Sequence, residues 1–164
     1  MTDLRIGHGY DVHQLVKGEP LIICGVQIES SVGSLGHSDG DVGYHSICDA
    51  ILGALAKGDL GTYFPSSDQK WEDADSTVFI NEIIRMMNDQ GYSINNIDCT
   101  IILQSPHINK YITAMKSNIS SLCDINVNSI SIKATTTDNL GAIGRGEGIA
   151  ALVVILLTKD NNAD

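Results

Sequence analysis

The stretch Gly36-His37-Ser38-Asp39-Gly40-Asp41-Val42-Gly43-Tyr44-His45 reads as a loop that opens into a helix, which continues as Ser46-Ile47-Cys48-Asp49-Ala50-Ile51-Leu52-Gly53-Ala54-Leu55-Ala56. Tyr44, Ile47, Cys48, Ile51, Ala54 and Leu55 recur three or four apart and form one apolar stripe. Asp41, His45 and Asp49 recur four apart on a different face. A helix that buries one face and aligns Asp, His and Asp on another is expected to hold something. Its predicted span is Asp41 to Lys57, with Asp39 or Asp41 capping the start and Gly58 closing the end.

A second cluster precedes it, Arg5-Ile6-Gly7-His8-Gly9-Tyr10-Asp11-Val12-His13, inside a strand expected from Arg5 to Leu15. Side chains alternate along a strand, so Ile6, His8, Tyr10 and Val12 share one face, and Gly7, Gly9, Asp11 and His13 share the other. Asp11 and His13 then point the same way, with the glycines expected to leave open space beside them. Together with His45 they supply two imidazoles and one carboxylate. Three protein ligands with a fourth position open is the pattern of a catalytic zinc, whereas structural zinc sites are closed and rich in cysteine. The same spacing also fits an exposed strand end with an ordinary Asp–His hydrogen bond.

Further along, Leu21 to Glu29 reads as a strand interrupted at Gly25, and Ser30 to Gly36 as a small-residue loop. Gly58 to Asp68 is a long loop of turn formers. A second helix is predicted from Asp75 or Ser76 to about Asp89, burying Phe79, Ile80, Ile83, Ile84 and Met87. Asn96 to Gln104 alternates as a strand, Ser105-Pro106-His107 is a turn, and Ile108 to Leu122 is a third helix. Ser129 to Ala134 is a short strand. Gly146 to Thr158 is so aliphatic that it reads as a strand buried on both faces. The class is α/β or α+β, a single mixed sheet covered by helices, in one domain over 1–164 whose tail from about 159 to 164 frays.

Ala134-Thr135-Thr136-Thr137-Asp138 supplies hydroxyls and a carboxylate, hard oxygen ligands suited to Mg²⁺ with phosphate oxygens. Gly144-Arg145-Gly146-Glu147-Gly148 sets a guanidinium between glycines, where a backbone nest and an arginine fork can meet phosphate. A polar loop with an Arg145–Glu147 surface pair is the plainer reading of that segment. A transition-metal site, an Mg²⁺ site and a glycine-arginine loop on one chain suggest chemistry on a phosphorylated or diphosphate substrate.

The 164 residues carry a net charge of −10 with no basic cluster, which argues against nucleic acid as a partner. The hydrophobic fraction is 43% but aromatics are only 5%, so the core must be aliphatic. Cys24, Cys48, Cys99 and Cys123 form no CxxC pair and sit in apolar stretches, as buried thiols of a reduced, cytoplasmic protein do. No hydrophobic signal opens the chain, although a mature organellar form would look the same. The longest apolar run, Ile149 to Leu157, is too short to span a bilayer.

With these motifs in order, the chain resembles the 2-C-methyl-D-erythritol 2,4-cyclodiphosphate synthase family almost end to end, from Arg5 to about Leu157. Arg5 to His13, His37 to His45, Gly58-Asp59-Leu60-Gly61 with Phe64-Pro65, Lys133 to Thr137, and Gly144 to Gly148 carry the likeness. The resemblance implies cyclisation of 4-diphosphocytidyl-2-C-methyl-D-erythritol 2-phosphate with release of CMP, in the non-mevalonate route to isoprenoids. It implies Zn²⁺ on Asp11, His13 and His45, and Mg²⁺ or Mn²⁺ on Asp138. His37 and Ser38 would contact the substrate near its phosphates, and Thr135 and Thr136 its diphosphate. Asp59 and Gly61 would hold the methylerythritol hydroxyls, with Phe64 beside them. Pro106 would line the cytidine pocket. Arg145, with Glu147, would face a central cavity able to hold an isoprenoid diphosphate. The family is a homotrimer with active sites between adjacent subunits. Asp49, one turn after His45, is expected to support its imidazole. The chain departs from the family pattern at Asp138, where Glu is usual, at His107, where Lys is frequent, and at Ala142, where an aromatic residue is common. Two other classes fit the site chemistry alone: a zinc-dependent phosphodiesterase or phosphatase, and a trimeric binding protein whose metal is structural.

Overall fold

The structure is a computed structural model and describes residues 2–36, 38–71 and 74–160. A five-stranded sheet in the order β4-β1-β7-β5-β6 organises it. The strands are β1 (Thr2–Lys17), β4 (Val32–Leu35), β5 (Ser93–Ile102), β6 (Ile130–Thr135) and β7 (Gly148–Asp160). β1 and β5 both run antiparallel to the central β7, and β6 runs parallel to β5. The sheet is therefore mixed, as expected. A separate hairpin joins β2 (Leu21–Ile23) to β3 (Val26–Ile28). Cys24 (φ 49°) and Gly25 (φ 70°) form its two-residue turn, the conformation that tight hairpins require. The interruption expected at Gly25 is thus a reversal of the chain.

The segment Ser30 to Gly36 was expected to be a loop, yet Val32–Leu35 pairs with the far end of β1, Gln14 facing Leu35 and Lys17 facing Val32. Its serine and glycine content hid a strand whose partner is another element, since pairing depends on what lies across the ladder. β1 also exceeds its expected span at both ends. β7 continues through Lys159 to Asp160, whereas fraying was expected from about 159; Lys159 Nζ donates to the Gln90 carbonyl at 2.8 Å. Residues 161–164 lie outside the described residues.

Helix α1 (Val42–Ala54) packs against β1 and β7, and α3 (Ser76–Asp89) packs against α1. α4 (Ile112–Cys123) follows a 3-10 turn and lies against β6. Two single-turn helices, α2 (Leu60–Tyr63) and α5 (Gly141–Gly144), break up the loops around them. The first of these corrects the reading of Gly58 to Asp68 as plain loop. α1 ends earlier than predicted. The left-handed residue that closes the helix is Ala56 (φ 56°), with Lys57 N donating to the Leu52 carbonyl at 2.9 Å, and Gly58 (φ 86°) lies two residues beyond it.

Gly7 and Gly9 do not open space beside Asp11 and His13. A Cβ at Gly7 would land on the Ala50 carbonyl oxygen, and one at Gly9 on that of Ser46. Their bareness lets the α1 backbone lie directly on β1. The core is aliphatic as composition required, with Ile47, Ile51, Ile101, Val153 and Ile155 fully buried. All four cysteines are free and buried, and burial pushes the Cys123 thiol up to about 12.

Helices cover only one face of the strands at the centre of the sheet. On the other, Leu4, Ile6, Tyr10 and Val12 of β1 and Val154 of β7 are exposed, so β7 is open on the side where burial was expected. Register sets His8 beside Val154 beside Asp98, and Tyr10 beside Leu152 beside Thr100. This outer face is apolar along β1 and β7 except at His8, and turns polar at β5. Among the described residues no helix is long and apolar enough to cross a membrane.

Candidate active site

Two elements build the metal-type cluster. Alternation along β1 directs Asp11 and His13 toward α1, and the glycine-mediated contact brings the first turns of α1 over them. His45 then meets both. Asp11 Oδ2 lies 2.9 Å from His13 Nε2 and 3.1 Å from His45 Nδ1, and the two ring nitrogens are 3.2 Å apart. Three donor atoms converge on one point. A tetrahedral zinc with bonds of about 2.0–2.1 Å needs its donors about 3.3 Å apart, close to this triangle. The predicted trio is therefore brought together, and among the described residues it is the group of three or more His, Cys, Asp or Glu able to hold an ion.

The electrostatics match. Burial acts to raise the Asp11 pKa, but hydrogen bonds and charge from His13 and His45 outweigh it and hold the carboxyl well below its usual range. Burial acts to lower the His13 pKa, and the Asp11 hydrogen bond and charge outweigh it and raise it.

The Asp41–His45–Asp49 row divides into three separate jobs. Asp41 is fully buried and caps α1: Oδ1 accepts from Gly43 N and Tyr44 N at 3.0 Å and from Cys24 N at 2.8 Å, and Oδ2 from Gly25 N at 2.6 Å. Asp49 accepts from Leu60 N at 2.7 Å and so anchors α2; it is not the hydrogen-bond partner of His45 that the spacing suggested. The partners of His45 Nε2 come from elsewhere, Ser76 Oγ at 2.9 Å and Ser38 Oγ at 3.2 Å. Ser76 was visible in the sequence only as a possible cap of α3. Asp39 in turn accepts from Ser76 Oγ in a short bond and from Ser76 N at 3.0 Å.

The cluster opens into a cavity of about 330 Å³ walled by Ser38, Leu60, Phe64, Trp71 and Phe79. Phe64, Trp71 and Phe79 pack edge-on and tilted, with ring centroids 4.7–5.7 Å apart. Phe64 was expected here; Trp71 and Phe79 were not, because Phe79 reads as ordinary helix core and nothing marks Trp71. Asp59 caps α2 by accepting from Thr62 N at 2.9 Å, with Gly61 inside the same turn. His37 lies outside the described residues.

The other predicted residues gather elsewhere. Pro106, His107, Thr135 and Thr136 line a separate cavity of about 300 Å³ that shares no wall residue with the first. Asp138 follows in a left-handed turn (φ 51°), exposed, with Thr136 Oγ1 3.5 Å from its carboxylate. Register fixes the relation of the two cavities. His13 faces Ile149, Ala150 faces Ile102, and Ile102 faces Thr135, so both cavities open at the same end of the sheet. The walk β1-β7-β5-β6 separates their strands by three spacings, about 14 Å. Arg145 and Glu147 form an exposed ion pair at 2.8 and 3.0 Å, the plainer of the two readings of that segment, and Ala142 is exposed beside it.

Comparison with known proteins agrees with this geometry. The YgbB family model matches residues 4–158. The 2-C-methyl-D-erythritol 2,4-cyclodiphosphate synthase of Acaryochloris marina is 48% identical over 161 residues, covering 98% of this chain and all of that protein. That of a Geobacillus species is 50% identical over 155 residues, covering 94% and 98%. Among solved structures, the bifunctional IspDF of Campylobacter jejuni superposes with a TM-score of 0.94 at 39% identity, over 98% of this chain and 43% of that longer one. The IspF of Plasmodium falciparum in complex with CDP superposes with a TM-score of 0.85 at 37% identity, over 96% and 97%.

Proposed function

This chain belongs to the YgbB family, and from that premise we propose that it catalyses the reaction its relatives are named for. It converts 4-diphosphocytidyl-2-C-methyl-D-erythritol 2-phosphate to 2-C-methyl-D-erythritol 2,4-cyclodiphosphate, releases CMP, and so serves isoprenoid synthesis. The observation that carries the reading is the convergence of Asp11, His13 and His45 beside a cavity that His13 and His45 help to line.

In this reading Asp11, His13 and His45 would hold Zn²⁺, which would supply positive charge to the phosphate oxygens of the substrate. Asp138 would offer a single carboxylate to Mg²⁺ or Mn²⁺, whose charge would offset that of the substrate's phosphates. Around these, the chain positions groups. Ser38, with His37, contacts the phosphate next to the zinc site. Thr135 and Thr136 donate hydroxyls to the diphosphate, Pro106 lines the cytidine side, and Asp59 and Gly61 fix the methylerythritol hydroxyls beside Phe64. The 2-phosphate oxygen is then held against the β-phosphorus, the new P–O bond forms as the bond to the CMP oxygen breaks, and CMP leaves as the phosphate monoester. Both reacting groups are anions, so positioning and charge neutralisation provide the acceleration, and no covalent enzyme intermediate is required.

The homotrimer that the family resemblance implies is part of this reading, and two features support an assembly of copies. The outer face bearing Leu4, Ile6, Tyr10, Val12 and Val154 is apolar and uncovered in one chain. The metal cavity and the Thr135–Thr136 cavity share no wall. In such a trimer one chain's metal cavity would meet its neighbour's nucleotide cavity, and Arg145 and Glu147 would border a central space able to take an isoprenoid diphosphate, as the resemblance implies. The expected location is the cytoplasm.

Phosphorus NMR of purified protein with substrate, Mg²⁺ and Zn²⁺ tests the activity. CMP together with a cyclic diphosphate is the expected result. An open-chain phosphate product would make the protein a hydrolase, and intact substrate with zinc bound would refute the assignment.

A further inference from the structure

The His45 ring is held on both sides, and the far side decides how it faces the cluster. Ser76 is completely buried at the first turn of α3. Its Oγ lies 2.9 Å from His45 Nε2 and makes a short bond to Asp39 Oδ1. A serine hydroxyl has one proton to give, and an ionised carboxylate can only accept. The Ser76 proton therefore goes to Asp39, and the Ser76 oxygen is left as an acceptor toward His45. Nε2 must then carry a proton toward Ser76, while Nδ1 faces Asp11 Oδ2 at 3.1 Å and His13 Nε2 at 3.2 Å, donating to the Asp11 carboxylate unless a metal takes its lone pair.

Asp39 is itself fixed. Its N–H donates to the Ala74 carbonyl at 3.2 Å, Oδ2 accepts from Ser76 N at 3.0 Å, and Oδ1 also accepts from Asp41 N at 3.1 Å. The carboxylate thus ties the loop ahead of α1 to the start of α3, and its position is set by three backbone groups. Ser38 Oγ, at 3.2 Å from the same Nε2, is a weaker second acceptor on the substrate side.

We infer that Asp39 and Ser76 form a relay that keeps a proton on His45 Nε2 and so leaves Nδ1 as the ligand atom presented to the metal. Ser76 and Asp39 are positioning residues, since neither reaches the cavity's reacting centre except through His45. Hydrogen-bond partners behind a metal-binding histidine fix its tautomer and ring orientation, and losing one weakens metal affinity by about 10- to 100-fold. The effect on the metal rests on the zinc reading given above; the effect on the tautomer does not.

Two measurements keep these apart. Long-range proton–nitrogen NMR of the metal-free protein reports the tautomer of His45 directly. The expected result is a proton on Nε2 in the unaltered protein and its partial loss in Ser76→Ala. An unprotonated Nε2 in the unaltered protein, or an Nε2 unchanged in Ser76→Ala, overturns the relay. Zinc competition against a chromophoric chelator then reads affinity. Ser76→Ala should bind zinc about 10- to 100-fold more weakly at an unchanged circular dichroism spectrum, and Ser76→Thr, which keeps the hydroxyl, should restore it. Equal affinity in Ser76→Ala overturns the relay's role toward the metal. Failure of the unaltered protein to bind zinc overturns the metal reading, and the tautomer measurement alone then decides the relay.

Discussion

Asp41 and His45 are one helical turn apart and are both buried, yet one serves the fold and the other the site. Asp41 satisfies four backbone N–H groups, two at the start of α1 and two in the β2–β3 turn. Replacing it with Ala orphans all four and should cost about 2–4 kcal/mol. Asn keeps one acceptor oxygen but turns an amino group toward a backbone donor, so Asp41→Asn should lie between Ala and the unaltered chain in urea unfolding. His45→Ala behaves differently. It removes one corner of the donor triangle but leaves α1 capped and its apolar face intact. The chain should therefore fold with a thermal midpoint within a few degrees of the original while losing zinc and turnover. Loss of folding in His45→Ala would instead make the metal structural.

At the scale of elements, the site depends on how closely α1 lies on β1, since Asp11 and His13 ride on one and His45 on the other. Gly9→Ala forces its methyl into the Ser46 carbonyl, one residue from His45. It should destabilise the protein by about 3 kcal/mol and also weaken zinc binding, because the two elements must separate. Asp49 works between α1 and α2. Burial raises its pKa, with the Leu60 N–H opposing the shift. A raised folded-state pKa means that its contribution is fully present below the unfolded value near 3.9 and declines as pH rises through the folded value. Asn can still accept from Leu60 N and does not ionise, so the stability of Asp49→Asn relative to the unaltered chain should improve between pH 4 and pH 7, as urea midpoints would show. An Asp49 that supported His45 would lose zinc on the same substitution, whereas an anchor of α2 would not.

These elements also show what could be read from sequence and why. The stripe of α1 and the alternation of β1 are local patterns with fixed periods, and the structure reproduces them; the meeting of His45 with His13 and Asp11, 32 and 34 residues away, was legible from donor chemistry and not from a period. β4 was missed because its small residues carry no strand signal of their own and its ladder depends on the far end of β1. The open face of β7 was missed because an aliphatic run does not say which side is covered. Ser76 and Asp39 were invisible as a pair because their contact joins residues 37 apart and each alone reads as a helix cap.

For the whole molecule, the question is whether one chain contains an active site. The metal triad lies within a single chain, so zinc binding should survive dissociation, but the nucleotide-side cavity shares no wall with it. Val154 sits at the centre of the uncovered apolar face, between His8 and Asp98. The unaltered protein should therefore run in light scattering at three times the 17.6 kDa of one chain. Val154→Asp buries a charge in that contact and should yield monomers that retain zinc and lack activity. Mixing gives a sharper test. His45→Ala lacks the metal half of the site and Thr136→Ala lacks the diphosphate half, so each alone is inactive. If a site takes one half from each of two neighbours, subunits exchanged at equal amounts rebuild intact sites at about a quarter of positions, since both halves must come from the right chain. Recovery of activity on mixing requires a shared site. A mixture as inactive as its parents, with subunit exchange demonstrated, requires each chain to carry its own, and the two cavities at one end of its sheet would then be bridged by a single substrate lying across β7 and β5.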